Sequence, residues 1–423
     1  MDLGIHIRTR GRHRRRFGRP FRRLWTGFGL ASSGDGLVSG AIPLLAVVVD
    51  PHPVAVSTVV AADSLPWFLM ALPAGVFADR FERGPVMALA NVVRAAAILV
   101  AAVLVLTDRM GFWLLVVVVL VNAGGRAVYF SSMQAMVPEL VNFDALDRAN
   151  GALVGTEAGT EHLAGPVVGT SLFAWSQSVP FFADAVALAL SCLPFVKLRK
   201  KTKTPRPPGS STSMWEGARL LFADKRLRIL LFVVSSLAGL QGMQMGVLVL
   251  LATTVWGVRT GAYGLFLAAG AAGNLLGSVI SDRQVRRFGS AQTLIGAALA
   301  SGIGYLVMAA ASGWPVAAPA DVLVGLAVGV GSVVSTSLRQ RLTPPDLMGR
   351  VGGAWRGIVW GAAPVGALAA GTLAAYGGLR LPVLLAGVLQ CAVALLLARP
   401  LVRSLRDRAA PPPSNSDPTS IPA

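Results

Sequence analysis

Twelve apolar segments, each about 20 residues or longer, occupy most of the 423-residue chain. A helix needs about 20 apolar residues to cross the hydrocarbon core of a bilayer. The stretch 114–121 is uninterrupted rather than alternating, unlike a membrane β-strand. The sequence therefore predicts an all-α polytopic membrane protein with twelve transmembrane helices. The predicted spans are roughly 24–48, 54–78, 85–107, 112–137, 151–175, 178–198, 228–254, 261–281, 290–311, 314–338, 351–376 and 380–401.

Charged residues are too few to coat a soluble protein of this size. They make up 14% of the chain, whereas a soluble domain carries about 25%. The net charge of +18 would suit a nucleic-acid-binding protein, but the Lys and Arg residues lie in short clusters between apolar segments. We therefore expect the lipid bilayer, and no nucleic acid, as a partner. Cys192 and Cys391 both lie inside apolar segments, which argues against a disulfide scaffold.

The basic residues predict an orientation. With the N-terminus in the cytoplasm, 32 of the 38 Lys and Arg residues fall on cytoplasmic segments, three on external loops and three inside spans. Because basic loops stay on the cytoplasmic side, both termini are expected to be cytoplasmic. Nine Arg residues precede a full-length apolar run, which favours a retained span over a signal peptide. A transit peptide and a start codon placed too early are alternatives. Residue usage, with Arg far above Lys, suggests a bacterial plasma membrane.

The chain is expected to consist of two pseudo-symmetric six-helix bundles, at 24–198 and 228–402. A basic tail (1–23), a polar cytoplasmic loop (199–227) and a low-complexity tail (403–423) complete it. Internal echoes support the duplication, since 79–80 and 282–283 both read Asp-Arg, and 32–33 and 235–236 both read Ser-Ser. Both echoes are 203 residues apart, which is typical of a repeated transporter fold.

These features, with GVFADRFERG between spans 2 and 3, resemble the major facilitator superfamily over about residues 20–402. Three stretches resemble its bacterial drug and siderophore exporters: 32–37, 138–169 and 349–371. The resemblance implies a secondary transporter whose two bundles alternate access to a central cavity.

The resemblance also implies a gating motif in the loop after span 2, with a counterpart after span 8. Glu82 and Gly84 depart from the family pattern. By resemblance, the acidic residue of the motif contacts the start of span 11 near Gly349 and Arg350. The alternative is a turn whose charges only keep the loop in water. The gating residues are Gly75, Asp79, Arg80, Arg83, Asp282 and Arg283.

Several ionisable residues lie inside the predicted spans, where they are costly and usually functional. Glu157 and Glu161 are one helical turn apart in span 5, so they share a face and can hold a proton between them. This pattern indicates proton coupling. The alternative is a static pairing with the arginines of spans 3 and 4. The predicted coupling and cavity residues are Asp35, Glu157, Glu161, His162, Arg126 and Arg94.

Glycines and a proline also mark span 5. Gly151, Gly155 and Gly159 recur every four residues and predict a close-packing stripe opposite the acidic face. Residues 165–169, with Gly165, Pro166 and Gly169, resemble the antiporter element of the superfamily, and Thr170 replaces its final glycine. The alternative is a proline kink with small-residue packing.

Polar and soft side chains of the second half predict a substrate wall. The candidates are Gln241, Gln244, Met245 and Trp360, and ordinary packing is the alternative. Asp63 and Asp184 lie nearer the external ends of spans 2 and 6. We expect them to reach interfacial water, and the alternative is that they line an external vestibule.

The sequence contains no Walker motif and no clustered metal-ligand spacing. We therefore expect no cofactor, no metal and no enzymatic activity, with transport driven by a proton gradient. The predicted function is proton-coupled efflux of small hydrophobic molecules such as drugs, antibiotics or secondary metabolites, by a monomer. The alternatives are import of a nutrient, a transporter-like sensor and a membrane-embedded enzyme.

Overall fold

The computed structural model describes residues 17–70, 82–198, 214–344 and 347–406, and in these ranges the chain is helical with no strand. The helices of the first half are α1 (Arg19–Val49), α2 (Pro53–Met70), α3 (Arg83–Leu106), α4 (Phe112–Leu140), α5 (146–175) and α6 (Val179–Val196). They are followed by α7 (Met214–Ala223), α8 (Lys225–Leu250, continued by a π-helix over Leu251–Val255), α9 (Tyr263–Phe288), α10 (Ser290–Ala310), α11 (Trp314–Leu342), α12 (Met348–Gly377) and α13 (Arg380–Arg406).

The prediction of an all-α polytopic protein is confirmed. Ten helices in the described ranges are long and apolar enough to cross a membrane. The two other predicted spans correspond to α2, which is described only as far as Met70, and to α5. Helix α5 consists of an α-helix over Leu146–Glu157, a π-helix over Ala158–Ala164 and an α-helix over Gly165–Trp175.

Helix packing follows the internal repeat. Within the first half α3 packs on α6, and the equivalent pair in the second half is α10 with α13. The main contacts between the halves are also equivalent, because α2 packs on α12 and α5 packs on α9. Each contact joins the second span of one half to the fifth span of the other. The cavity described below is enclosed by the first of these contacts.

The halves meet tightly at the end of the bundle opposite the termini. The hydroxyl of Thr170 accepts a hydrogen bond from the backbone N–H of Gly264 (3.0 Å). The same hydroxyl lies 3.2 Å from the carbonyl oxygen of Gly261, to which it can donate. On the other side of the bundle, Gly371 of α12 lies against Ser57 of α2.

The prediction of a close-packing stripe at Gly151, Gly155 and Gly159 is wrong. A Cβ atom built on any of the three meets no atom of another described segment within 4 Å. The close contact lies about three turns after Gly159, where a Cβ on Gly169 would be 2.0 Å from the carbonyl oxygen of Leu37. Four-residue spacing places glycines on one face of a helix, but it does not say whether another helix covers that face.

The segment predicted as a polar loop, 199–227, contains a helix, α7. Leu221 of α7 is fully buried and belongs to the apolar cluster that holds Leu227 and Leu230. The side chain of Asp224 then accepts hydrogen bonds from the backbone N–H groups of Arg226 (2.7 Å) and Leu227 (3.2 Å), which caps the start of α8.

Candidate functional site

A cavity of about 400 Å³ lies between the two halves. Helices α1, α2, α4 and α5 supply most of its wall, and α12 supplies Trp360 and Ala363. Its size is in the usual range for a small-molecule site, about 300–1,000 Å³. The lining residues are Phe28, Ser32, Asp35, Asp63, Ser64, Trp67, Arg126, Tyr129, Phe130, Glu157, Glu161, Trp360 and Ala363.

A network of ion pairs between four helices of the first half lies beside the cavity. Arg126 forms an ion pair with Glu161, and its Nε lies 3.8 Å from Oδ2 of Asp35. Asp35 in turn forms an ion pair with Arg94, which is fully buried behind the cavity wall. The two arginines are thus neutralised by two carboxylates, as a low-dielectric environment requires.

Hydrogen bonds hold Arg94 rigidly in this network. Its Nε donates to Oδ1 of Asn122 (3.0 Å), and its Nη1 donates to Oδ1 of Asn91 (3.1 Å). Asn91 donates to the hydroxyl of Ser191 on α6 (2.8 Å). Arg94 therefore acts through Asp35 and does not itself line the cavity.

The π-helix in α5 coincides with the acidic segment. Pro166 has no backbone N–H to donate to the preceding turn, and the π-helix over Ala158–Ala164 directly precedes it. Short π-helices of this kind occur frequently at functional sites. The hydroxyls of Thr160 and Ser32 lie 2.8 Å apart, which joins this segment to α1. Glu161 is buried there next to Arg126.

Two further carboxylates in the cavity form no ion pair within the described residues. Glu157 is half-buried and Asp63 is exposed to the cavity, and neither forms an ion pair or a hydrogen bond with the described part of the chain. Four carboxylates therefore line the cavity, and Arg94 and Arg126 neutralise only two. With all four ionised, the site carries an excess charge of −2.

Aromatic rings form the apolar wall. Trp67 packs edge-on against Trp360, with 5.3 Å between ring centroids, and against Phe130 at 5.7 Å. The guanidinium of Arg126 lies 5.8 Å from the centroid of Trp67. The contact between Trp67 and Trp360 joins the first half of the chain to the second at the cavity. A flat apolar ligand can stack on this wall while its polar groups meet the acids.

A protein-family model described as Major Facilitator Superfamily matches residues 24–354. The chain belongs to this superfamily. It is accordingly a multi-pass membrane transporter and not an enzyme. Such a protein acts in the lipid bilayer on small-molecule substrates.

Relatives and solved structures of the superfamily resemble this chain. The multidrug efflux pump Tap of Mycobacterium tuberculosis is 28% identical over 367 residues, which cover 82% of this chain and 86% of the relative. Macrolide efflux protein A of Streptococcus pyogenes is 23% identical over 360 residues, covering 81% and 85%. The structure of a bacterial homologue of the iron transporter ferroportin, in an inward-facing state, has a TM-score of 0.70 at 20% identity and covers 90% of this chain and 98% of its own. The nucleoside transporter NupG also has a TM-score of 0.70, at 13% identity, with 92% and 98% covered.

Of the residues predicted for the superfamily gate, Gly75, Asp79 and Arg80 lie outside the described residues. Arg83 donates to the carbonyl oxygen of Ala135 (2.8 Å) and forms an ion pair with Glu139. The counterpart residue Asp282 pairs with Arg286 of its own helix, and Arg283 is exposed.

The predicted substrate wall of the second half is only partly at the cavity. Trp360 lines it, whereas Gln241, Gln244 and Met245 are not among the lining residues. Gln244 points into the second half, where its Nε2 donates to Oδ1 of Asp321 (2.9 Å). The rotation of α8 decides this, and the 3.6-residue spacing alone does not reveal it.

His162 is exposed, and its ring lies with Glu157 and Glu161 in a cluster whose potential metal-ligand atoms are within 4.8 Å of one another. Glu161 already pairs with Arg126, and this positive charge opposes a divalent cation at the same carboxylate.

Two acids differ from expectation. Asp63 lines the cavity. Asp184 is completely buried next to Gly34, and neither of its carboxylate oxygens has a hydrogen-bond partner among the residues that the structure describes. The prediction that both side chains reach interfacial water is wrong. Asp63 lies nine residues and Asp184 six residues after the start of its predicted span, and only the packing of α2 and α6 shows that they face inward.

Proposed function

We propose that this protein is a proton-coupled exporter of small, largely hydrophobic molecules such as drugs, antibiotics or secondary metabolites. The observation that carries the proposal is the cavity between the halves, in which an aromatic wall faces carboxylates that exceed the available arginines. The aromatic wall suits an apolar substrate, and the excess carboxylates can bind and release protons. The names of two relatives, a multidrug efflux pump and a macrolide efflux protein, support export.

The proton-coupling group is Asp35, Glu157, Glu161 and Arg126. Within it, Glu157 is the proton carrier, because it reaches the cavity and has no cationic partner among the described residues. Arg126 and Arg94 are paired with Glu161 and Asp35. Glu157 is not part of these ion pairs, so it can gain or lose a proton without disrupting one. Transport then needs no cofactor, since the proton gradient supplies the free energy.

The protein works as a monomer in the bacterial plasma membrane with both termini in the cytoplasm. The excess of Lys and Arg on the terminal side of the bundle supports this orientation. The tight contact between Thr170 and Gly264 then lies on the external side. We infer that rocking of the two halves opens this external end.

Reconstitution in liposomes tests the proposal. Purified protein is inserted into vesicles that contain a pH-sensitive dye, a pH gradient is imposed, and the flux of a panel of lipophilic compounds is followed together with lumenal pH. We expect substrate movement against proton movement, and Asp108→Asn, in an exposed loop, serves as a matched control. Flux of substrate and protons in the same direction would indicate import. The absence of coupled flux for every compound would overturn the proposal.

A further inference from the structure

The charge balance of the cavity bears on the chemistry of its substrate. Glu161 and Asp35 neutralise the two arginines, which leaves the carboxylates of Glu157 and Asp63. An anionic ligand would have to enter next to both. A ligand that carries a positive charge would instead neutralise part of the excess negative charge of the cavity.

Asp63 is placed to receive such a charge. It lies on α2, and its side chain is exposed at the cavity. It has no hydrogen bond or ion pair within the described chain, so a ligand does not have to displace an existing partner. Ser64, also at the cavity, follows it directly and adds a hydroxyl that can accept a hydrogen bond.

Trp67 lies one helical turn after Asp63, so both side chains are on one face of α2. Its ring is held by Phe130 and Trp360, and the guanidinium of Arg126 already lies at cation–π distance from it. A carboxylate beside a fixed cluster of aromatic rings is an arrangement that recognises an ammonium group attached to an apolar body.

We propose that the substrate is an organic cation, a protonated amine on a flat apolar body, and that Asp63 is the residue that selects for its charge. The inference rests on the proposed function, since it names the substrate class of the same cavity. It assigns separate tasks to the two excess carboxylates, because Glu157 exchanges the proton and Asp63 holds the substrate cation.

A pair of fluorescent dyes tests the proposal. Nile blue carries a positive charge, and Nile red has nearly the same flat ring system without it. Binding of each dye to the purified full-length protein is measured by fluorescence anisotropy in detergent. We expect the wild-type protein to bind Nile blue more tightly than Nile red. Asp63→Asn should weaken Nile blue binding about tenfold, which corresponds to the loss of one charge-assisted contact, and change Nile red binding less than twofold.

Asp108→Asn is the control for removing one negative charge elsewhere, and it should leave the binding of both dyes unchanged. Equal affinity of the wild-type protein for the two dyes, binding of neither dye, or an equal loss of both in Asp63→Asn would overturn the proposal. Transport assays separate this result from the proposed function. Proton-coupled export of neutral compounds without a preference for cations would leave the exporter intact and reject the cation site. Charge-selective binding without any transport would do the reverse.

Discussion

The backbone N–H of Gly264 donates a hydrogen bond to the side chain of Thr170, a residue of the other half of the molecule. Gly264 lies in the first turn of α9, where backbone N–H groups have no partner within the helix. Thr170 is fully buried and therefore acts as a cap supplied by α5. This one hydrogen bond therefore caps the first turn of α9 and also holds the two halves together at this end of the bundle.

We expect Thr170→Val to open this end of the bundle. Valine keeps the shape but removes the acceptor, at a cost of about 1 kcal/mol, and the equilibrium should shift about fivefold toward the open state. Spin labels at Trp175→Cys and Arg259→Cys, both exposed and on different halves, report the change as a longer distance in electron paramagnetic resonance. Ser171→Ala is the matched control, because its hydroxyl bonds to Val167 of its own helix (2.7 Å). An unchanged distance distribution in Thr170→Val would show that the hydrogen bond between Thr170 and Gly264 does not hold this end of the bundle closed.

The ion pair between Arg126 and Glu161 should behave as a unit. Glu161→Gln or Arg126→Gln alone leaves a charge without its main partner, and we expect a loss of up to about 3 kcal/mol of stability. The double variant removes both charges and should regain at least half of that loss, while transport remains impaired. Thermal unfolding in detergent measures the three variants against the wild-type protein. Additive losses in the double variant would show that the two side chains do not interact.

Replacement of Glu157, the proposed proton carrier, should separate proton coupling from substrate binding. Glu157→Gln keeps a polar side chain of the same size but cannot exchange a proton. We expect it to retain exchange of labelled substrate across vesicles at equal pH and to lose accumulation driven by a pH gradient. Accumulation at the wild-type rate would assign the proton to another residue.

Glycine substitutions in α5 should have opposite effects along the helix. A Cβ at Gly169 would meet the backbone of Leu37 at 2.0 Å, so Gly169→Ala should cost about 1–3 kcal/mol and most of the transport activity. Gly155→Ala places its Cβ in open space and should be neutral or stabilising by up to about 1 kcal/mol. Thermal unfolding and vesicle transport of both variants check this. Equal effects of the two substitutions would show that the close contact between α1 and α5 does not determine stability or transport.

The sequence alone predicted the class of this protein and much of its site. Apolar runs of the right length predict membrane helices because the requirement is local to each segment. Charged residues inside such helices are rare and can also be recognised locally. This is how the sequence identifies Asp35, Arg94, Arg126, Glu157 and Glu161. The internal repeat was visible because a duplication leaves identical residues at a constant offset.

Only the tertiary structure decided which of these charges neutralise one another. The pairing of Arg126 with Glu161 and of Arg94 with Asp35 depends on the rotation of four helices, and Asp63 became a cavity residue only through the placement of α2. The π-helix before Pro166 changes the register of α5, which regular helical spacing does not anticipate. Sequence determines which side chains are available in the membrane. The packing of distant segments determines which carboxylates remain unpaired, and those are the groups free to bind a proton or a cation.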